Sequence, residues 1–206
     1  MKAVPLNRYI TFFSIAVAGC ALDLASKSWI FNRPGMSDGH VQWVWNGVFG
    51  FRTDVNRGAL FGLGQGLTPV FAALSVAAAL GILFWLFYVG AAHDRLLCVA
   101  LGCVMAGILG NLYDRLGLHG LQYRSGEPAR AVRDWILVMI GKHEWPAFNI
   151  ADSLLVCGAA LLVWHAFGAK PKGGGQTAED GGGNGEGGGG NGEGGTRKAE
   201  EGRTNG

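Results

Sequence analysis

Two aspartates in the second half of a 206-residue chain stand beside apolar runs, where an unpaired charge is costly. Asp134 precedes Trp135-Ile136-Leu137-Val138, and Asp152 opens a long apolar stretch with no basic residue within a helical turn. Two carboxylates held together in a water-poor site cannot easily both be ionised, so the pair shares one proton. The ionised member can activate water while the protonated member polarises a carbonyl group, which is peptide hydrolysis without a covalent intermediate. For Asp152 alone there is a structural alternative, because a helix N-terminus favours a negative charge.

Four apolar blocks must position these two residues. They cover about 9–30, 68–92, 96–113 and 148–168. Each block is long enough, or nearly so, to cross a hydrocarbon core of about 30 Å at a rise of about 1.5 Å per residue. The segment 170–206 is mostly glycine and polar residues, which cannot bury enough apolar surface to fold. We predict a four-span membrane domain over 1–169 and a disordered cytoplasmic tail over 170–206.

The two long loops between the spans have different patterns. In the first loop, Val41 to Leu63 is rich in aromatic and β-branched residues interrupted by glycine, which predicts short strands at the membrane surface. In the second loop, Ala131 to Ile140 is apolar but too short to cross, and we expect a surface helix or strand there. The predicted fold is mainly α: an integral membrane four-helix bundle with a small extracytoplasmic β-sheet, a cradle, in the first loop.

Four spans place the polar clusters on one side of the membrane. The end of the first span, the start of the second, the end of the third and the start of the fourth all face the same leaflet, together with both long loops. The candidate site residues that meet there are Asp23, Lys27, Asn56, Gly58, Asn111, Asp114, Arg115, Asp134, Asn149 and Asp152. Ionisable residues gathered at one membrane face indicate a functional site.

Two of these clusters also have simple structural explanations. Asp23 and Lys27 are four residues apart on one helix face, so an ion pair at a helix end is sufficient to explain them. Asn56 stands two residues before Gly58, which is a common turn sequence.

Helical spacing groups the residues of the third and fourth spans. Asn111, Asp114 and Arg115 share a helix face, and Asn149 and Asp152 are three apart in the first turn of the fourth span. Neighbouring residues on a helix do not face each other, so Asp114 and Arg115 each need another partner. A structural clamp that holds the loops is an alternative to direct chemistry for this pair.

Other chemistries lack the residues they need. Ser26 and Ser153 have no histidine nearby on the same face, and His40, His119 and His143 lie in loops at no metal-ligand spacing. No phosphate-binding or dinucleotide-binding loop follows a strand, so we expect no cofactor and no metal. A net charge of +2 without a basic stripe makes nucleic acid an unsuitable partner.

Three other interpretations of the chain are open. Intramembrane carboxylates also serve proton- or ion-coupled transporters, although these commonly have internal repeats and polar groups near the midplane, which this chain lacks. A non-catalytic membrane scaffold would tolerate loss of both aspartates. Val17-Ala18-Gly19-Cys20 resembles a lipoprotein cleavage site, but the apolar stretch continues past Cys20, so a first membrane span is the simpler explanation.

The clusters, taken in order, resemble the five motifs of the lipoprotein signal peptidases, or signal peptidase II, the peptidase family A8 of bacterial membranes. The matching segments are Asp23-Leu24-Ala25-Ser26-Lys27, Asn56-Arg57-Gly58-Ala59-Leu60-Phe61-Gly62, Gly110-Asn111-Leu112-Tyr113-Asp114-Arg115, Val132-Arg133-Asp134-Trp135 and Phe148-Asn149-Ile150-Ala151-Asp152-Ser153. Each motif is weak alone, whereas five in order on the predicted spans are specific. The resemblance covers about 9–168.

The resemblance implies an aspartyl endopeptidase that removes signal peptides from diacylglyceryl-modified prolipoproteins, cleaving just before the lipidated cysteine. It implies a catalytic dyad of Asp134 and Asp152. It further implies that other residues bind substrate or support the site, namely Asp23, Lys27, Asn56, Gly58, Asn111, Asp114, Arg115 and Asn149. Membrane lipid and cyclic peptide inhibitors of the globomycin type are the other expected partners of a monomeric enzyme.

The resemblance also implies a location in the bacterial inner membrane, with the active site toward the outer leaflet. Summed loop charge does not fix the orientation. Basic residues that closely flank the spans, including Arg8, Arg95 and Lys170, fall on the side opposite the polar clusters, which favours cytoplasmic termini.

Two features depart from the family pattern. Trp135 follows the fourth-motif aspartate where the family usually has phenylalanine. Asp114 and Asp134 are also farther apart than usual, and we expect the charged segment from Arg124 to Arg130 between them to form an additional surface hairpin.

Overall fold

Four long helices form the body of the protein. The computed structural model describes residues 3–36, 39–58 and 64–168, so the glycine-rich tail and part of the second motif lie outside the described residues. The helices are α1 (Leu6–Phe31), α2 (Thr68–Leu83, continued by a π-helical turn over Phe84–Tyr88), α3 (Arg95–Arg115) and α4 (Ile150–Gly168). All four are long and apolar enough to cross a membrane. The predicted four-span architecture is confirmed.

A four-stranded antiparallel sheet covers one end of the helices. Its strands are β1 (Gln42–Trp45), β2 (Phe49–Asn56), β3 (Val132–Ile140) and β4 (His143–Phe148), paired in that order. The predicted small sheet is confirmed, and β1 and β2 lie in the first loop as expected. β3 and β4 come from the second loop, where the apolar run of Ala131 to Ile140 pairs with β2 through partners such as Phe51 and Ile136.

The fourth helix begins two residues later than predicted. Phe148 ends β4, and Asn149 stands between strand and helix instead of in the first helical turn. The side-chain oxygen of Asn149 accepts a hydrogen bond from the backbone N–H of Asp152 at 2.9 Å. The carboxylate of Asp152 accepts one in return from the backbone N–H of Asn149 at 3.3 Å. This reciprocal arrangement satisfies two N–H groups at the helix start and fixes where α4 begins.

Helix α3 is the centre of the bundle and packs against α1, α2 and α4. Small residues allow this, because helices in membranes approach most closely where glycine or alanine lies between them. The buried residues of α1 form a single stripe in which two ionisable groups lie between apolar residues: Phe12, Ala16, Asp23, Lys27 and Ile30. The same face of α1 therefore supplies both core packing and ionisable groups.

Gly107 sets the distance between α3 and α4. A Cβ atom at this position would lie 2.5 Å from the backbone oxygen of Ala151 and 2.6 Å from Cγ of Leu155. Gly107→Ala is therefore expected to destabilise the protein by about 1–3 kcal/mol, the usual cost of overpacking. Unfolding in detergent micelles, followed by tryptophan fluorescence, measures this.

Gly81 in α2 provides the matched control, since a Cβ there meets nothing within 4 Å. Gly81→Ala is expected to leave stability unchanged or to raise it by up to about 1 kcal/mol through helix propensity. Equal effects of the two substitutions would show that close approach of the helices is not the reason for the glycine at position 107.

Candidate active site

A cavity of about 490 Å³ lies between the sheet and the ends of α3 and α4. Asp134 on β3 and Asp152 on α4 both line it, so the structure brings the two predicted aspartates to one space. Three of the other predicted site residues also line it, namely Asn56, Asn111 and Arg115. The rest of the lining is mostly apolar: Val132, Trp145, Pro146, Ala147, Phe148, Ser153, Leu155, Val156 and Cys157. The cavity thus combines two carboxyl groups with a largely apolar surface.

Asp152 is held as a hydrogen-bond acceptor on both oxygens. Its Oδ1 accepts from the side-chain Nδ2 of Asn111 at 2.8 Å, and its Oδ2 accepts from the backbone N–H of Asn149 at 3.3 Å. The residue also lies in the first turn of α4, where the helix dipole favours negative charge. Two hydrogen-bond donors and the N-terminus of α4 thus face this carboxyl group.

Asp134 has the opposite environment. It is buried in β3, and burial raises its pKa to about 7, with the nearby charge of Asp152 acting in the same direction. Hydrogen bonds from the side chains of Asn149 and Asn56 oppose this shift, the first at 2.6 Å between Nδ2 of Asn149 and Oδ1 of Asp134. Near neutral pH Asp134 therefore carries a proton in much of the population while its partner accepts hydrogen bonds.

A buried cluster behind the cavity is centred on Lys27. Its ammonium group lies 2.7 Å from Oδ2 of Asp23, 3.1 Å from Oδ2 of Asp114 and 3.1 Å from Oδ1 of Asn111. Lys27, Asp23 and Asp114 are all fully buried. Asp23 also accepts a hydrogen bond from the backbone N–H of Ala151 at 2.8 Å. The Asp23–Lys27 pair is therefore more than a helix-end ion pair, because it connects α1 to α3 and to the start of α4.

Asp114 is the clamp between α3 and β3. Its Oδ1 accepts hydrogen bonds from Nε and Nη2 of Arg133 at 3.1 and 2.9 Å, and its Oδ2 accepts from the backbone N–H of Arg133 at 3.0 Å. Successive side chains of a strand point to opposite faces, so fixing Arg133 also fixes the direction of Asp134. Asp114 thus acts on the dyad through the backbone of the strand.

Asn56 and Gly58 form a turn at the end of β2. The side-chain oxygen of Asn56 accepts from the backbone N–H of Gly58 at 2.9 Å, as the turn interpretation predicts. This leaves the amide nitrogen as the end of Asn56 that is available to donate to Asp134. The turn therefore orients a group that also contacts the dyad.

The segment between Asp114 and Asp134 supports this turn. An isolated antiparallel bridge between Gln122 and Pro128 gives it the predicted hairpin form. Tyr123 within it accepts a hydrogen bond on its hydroxyl from Nε of Arg57 at 2.9 Å, and the Arg57 guanidinium lies 4.1 Å from the centre of the Tyr123 ring. This hairpin thereby holds Arg57, the residue next to Asn56.

Arg115 lines the cavity and is half-buried. Its guanidinium lies 5.7 Å from the centre of the Phe71 ring and is attracted by the charges of Asp134 and Asp152. It does not pair with Asp114, whose ionic partners are Lys27 and Arg133. Arg115 is thus the cation on the cavity side of the site.

Two features of the site were missed from the sequence. Arg133 had no evident partner, although two adjacent charged residues in a buried strand must face opposite sides and each requires one. The wall formed by Trp145, Pro146, Ala147 and Phe148 was not identified either. A tryptophan and a proline just before the fifth motif are a usable signal, since proline within a sheet is confined largely to edge strands.

The chain is similar to known proteins in sequence and in fold. The family model described as Signal peptidase (SPase) II matches residues 15–168. The lipoprotein signal peptidase of Rhodopirellula baltica is 52% identical over 174 residues, which cover 80% of this chain and 75% of that protein. The lipoprotein signal peptidase of Aquifex aeolicus is 36% identical over 168 residues, covering 78% and 87%.

Two solved structures, both described as bacterial membrane enzymes studied by the in meso method, have the same fold. Each superposes with a TM-score of 0.64. The first is 27% identical and covers 76% of this chain and 87% of its own, and the second is 26% identical and covers 78% and 94%.

Proposed function

Because the chain belongs to the signal peptidase II family of proteases, we propose that it removes signal peptides from diacylglyceryl-modified prolipoproteins by aspartic protease chemistry, cutting just before the lipidated cysteine. The observation that carries this proposal is the pair of aspartates in one cavity. One is held as a hydrogen-bond acceptor on both oxygens, and the other has a pKa raised to about 7.

The charges of the site support one shared proton on this dyad. Three cations surround it: Lys27, Arg115 and Arg133. Three carboxylates balance them when Asp152 is ionised, the other two being Asp23 and Asp114. A second charge on Asp134 would leave a net negative charge in a buried region, which is costly. Neutrality therefore favours a protonated Asp134.

In the proposed reaction Asp152 removes one proton from a water molecule in the cavity. The water oxygen bonds to the carbonyl carbon of the scissile peptide, and the carbonyl oxygen takes the proton of Asp134. The product is a tetrahedral gem-diol. The proton on Asp152 then passes to the amide nitrogen, the C–N bond breaks, and one gem-diol hydroxyl returns its proton to Asp134. The dyad ends in its starting state.

The cavity lining suggests how substrate is held. Arg115 and Asn56 offer donors beside the dyad, and the wall from Trp145 to Phe148 with Leu155 offers an apolar surface. We place the site at the outer leaflet of the bacterial inner membrane, with both termini in the cytoplasm and residues 1–169 as the catalytic unit. Arg8 and Arg95 near the opposite ends of the helices support this orientation.

The raised pKa of Asp134 predicts the alkaline side of the pH profile. The reaction needs its protonated form, which is lost as pH rises through about 7. Initial cleavage rates are expected to fall above this pH by about tenfold per unit. Rates that stay level to pH about 9 would contradict the role of Asp134 as proton donor. Activity recovered after return to pH about 6.5 controls for unfolding.

The decisive test is cleavage by the purified protein in detergent or lipid. A diacylglyceryl-modified prolipoprotein is expected to be cut, and the same precursor without the lipid is expected to be cut much more slowly. A globomycin-type cyclic peptide should inhibit the reaction, and a metal chelator should leave it unchanged. Proton uptake into liposomes without any peptide cleavage would instead favour a transporter.

A further inference from the structure

We propose that Lys27 is a positioning residue for the dyad: it fixes the side-chain amide of Asn111 in one orientation and thereby selects Asp152 as the proton acceptor. This inference rests on the proposed function and assigns a role to a residue that does not itself line the cavity.

The orientation of the Asn111 amide follows from the chemistry of its neighbours. The ammonium group of Lys27 can only donate hydrogen bonds, so the end of the amide that faces it must be the oxygen. That oxygen lies 3.1 Å from Nζ of Lys27. The nitrogen of the same amide must then point the other way, where it lies 2.8 Å from Oδ1 of Asp152. A donor is thus presented to Asp152 by the position of a cation on α1.

The reversed orientation is strongly disfavoured. Turning the Asn111 amide by half a rotation would place its NH₂ group against the ammonium of Lys27 and its oxygen against the carboxylate of Asp152. Both contacts are repulsive, and the second becomes favourable only if Asp152 carries a proton. The buried ammonium therefore disfavours a proton on Oδ1 of Asp152, the oxygen that faces the Asn111 amide.

The side-chain amide of Asn149 is also fixed in one orientation, in this case by the backbone of α4. Its oxygen accepts from the backbone N–H of Asp152 at 2.9 Å, so its nitrogen faces the site. That nitrogen donates to Oδ1 of Asn111 at 3.2 Å and to Oδ1 of Asp134 at 2.6 Å. Both N–H bonds and the oxygen of Asn149 are used in this way. Its side chain therefore orients the dyad, which is a supporting role.

The other charged groups around Asp152 do not act through Asn111. Arg115 on α3 attracts it from the cavity side, and Asp134 on β3 repels it. Asp114 and Arg133 lie behind Lys27 and form their own ion pair, and Asp23 on α1 binds Lys27. Removal of Lys27 therefore leaves Arg115 in place but frees the Asn111 amide to turn.

Lys27→Met tests the inference. The acid limb of the pH profile of kcat/KM is expected to move to higher pH by about one unit, since Asp152 loses a fixed donor. The value of kcat at pH about 6 should fall by about tenfold or more while KM changes by less than about threefold. Arg133→Gln is the matched control, because it removes a buried cation from Asp114 without touching Asn111. It should lower stability and move the acid limb by less than Lys27→Met does.

A double-mutant cycle separates an effect that Lys27 transmits through the Asn111 amide from a direct effect of the Lys27 charge. If the effect passes through Asn111, Lys27→Met should move the acid limb no further in an Asn111→Ala background. If the two substitutions move the acid limb additively, or if Lys27→Met lowers only stability, the inference is overturned and the proposed function still stands. Absence of cleavage by the wild-type protein would overturn the proposed function, and this inference with it.

Discussion

Asp152→Asn is expected to reduce prolipoprotein cleavage by about 10³-fold or more while the protein stays folded, because the site then has no group that can take a proton from water. Asn111 and Asn149 would still find a hydrogen-bonding side chain at this position. The helix start should therefore survive. Cleavage by purified protein, quantified by gel shift, measures the rate, and circular dichroism with thermal unfolding measures the fold.

Asp134→Asn is expected to cause a similar loss of activity for a different reason. Asparagine can still donate a hydrogen bond to a carbonyl group, but it cannot give up the proton. Unlike its effect on activity, the effect of this substitution on stability is expected to be neutral or favourable above neutral pH. Because the folded pKa of Asp134 is raised to about 7, its contribution to stability is full below its unfolded pKa, near 3.8, and is lost as pH rises through 7. At pH about 8 Asp134→Asn should therefore be at least as stable as the wild type.

Asp54→Asn is the control for both aspartate variants. Asp54 is a half-buried residue of β2 in an ion pair with Arg52, and it does not line the cavity. Its replacement should leave cleavage within about threefold of the wild-type rate. A dyad variant that cleaves as fast as Asp54→Asn would remove its aspartate from the mechanism.

Asp114→Asn is expected to give the largest loss of stability, about 3–5 kcal/mol, because it leaves two buried cations without their shared carboxylate. Those cations are Lys27 and Arg133. Unfolding in detergent micelles should show a large drop in the melting temperature. Cleavage measured well below that temperature should be weakened less than in the dyad variants.

The same Asp54→Asn substitution sets the scale for this measurement. A partly exposed pair such as Arg52 and Asp54 contributes about 1 kcal/mol or less. If Asp114→Asn lost no more stability than this, the clamp between α3 and β3 would not hold the strand in the way the contacts imply.

The spans could be predicted because length and hydropathy are properties of single segments. No tertiary contact is needed to recognise that Thr68–Tyr88 can cross a membrane. The convergence of the polar clusters then followed from counting spans. The motifs identified Asp134 and Asp152 as the pair of interest, although the residues next to each aspartate do not by themselves distinguish a catalytic role from a structural one.

The rest of the site depends on pairing between distant segments, which local patterns do not contain. The start of β3 is buried on both faces, so Val132 to Trp135 shows no alternation that would separate strand from helix. Helical geometry ruled out Arg115 as the partner of Asp114 but could not supply Arg133, which belongs to another element. The sequence placed Asn149 in the first turn of the fourth helix, whereas it precedes that helix. Helix ends are hard to predict because they depend on individual capping bonds.

Ribosomes complete the β1–β2 hairpin long before they make the strand that covers it. Until α3 and β3 have been synthesised, the β2 edge has no partner, and the residue at its end, Asn56, has no Asp134 to bind. The proposed pair of aspartates therefore cannot be assembled in any nascent chain that stops before the fourth helix, which carries Asp152. We expect a newly inserted molecule to stay inert until that helix has been made.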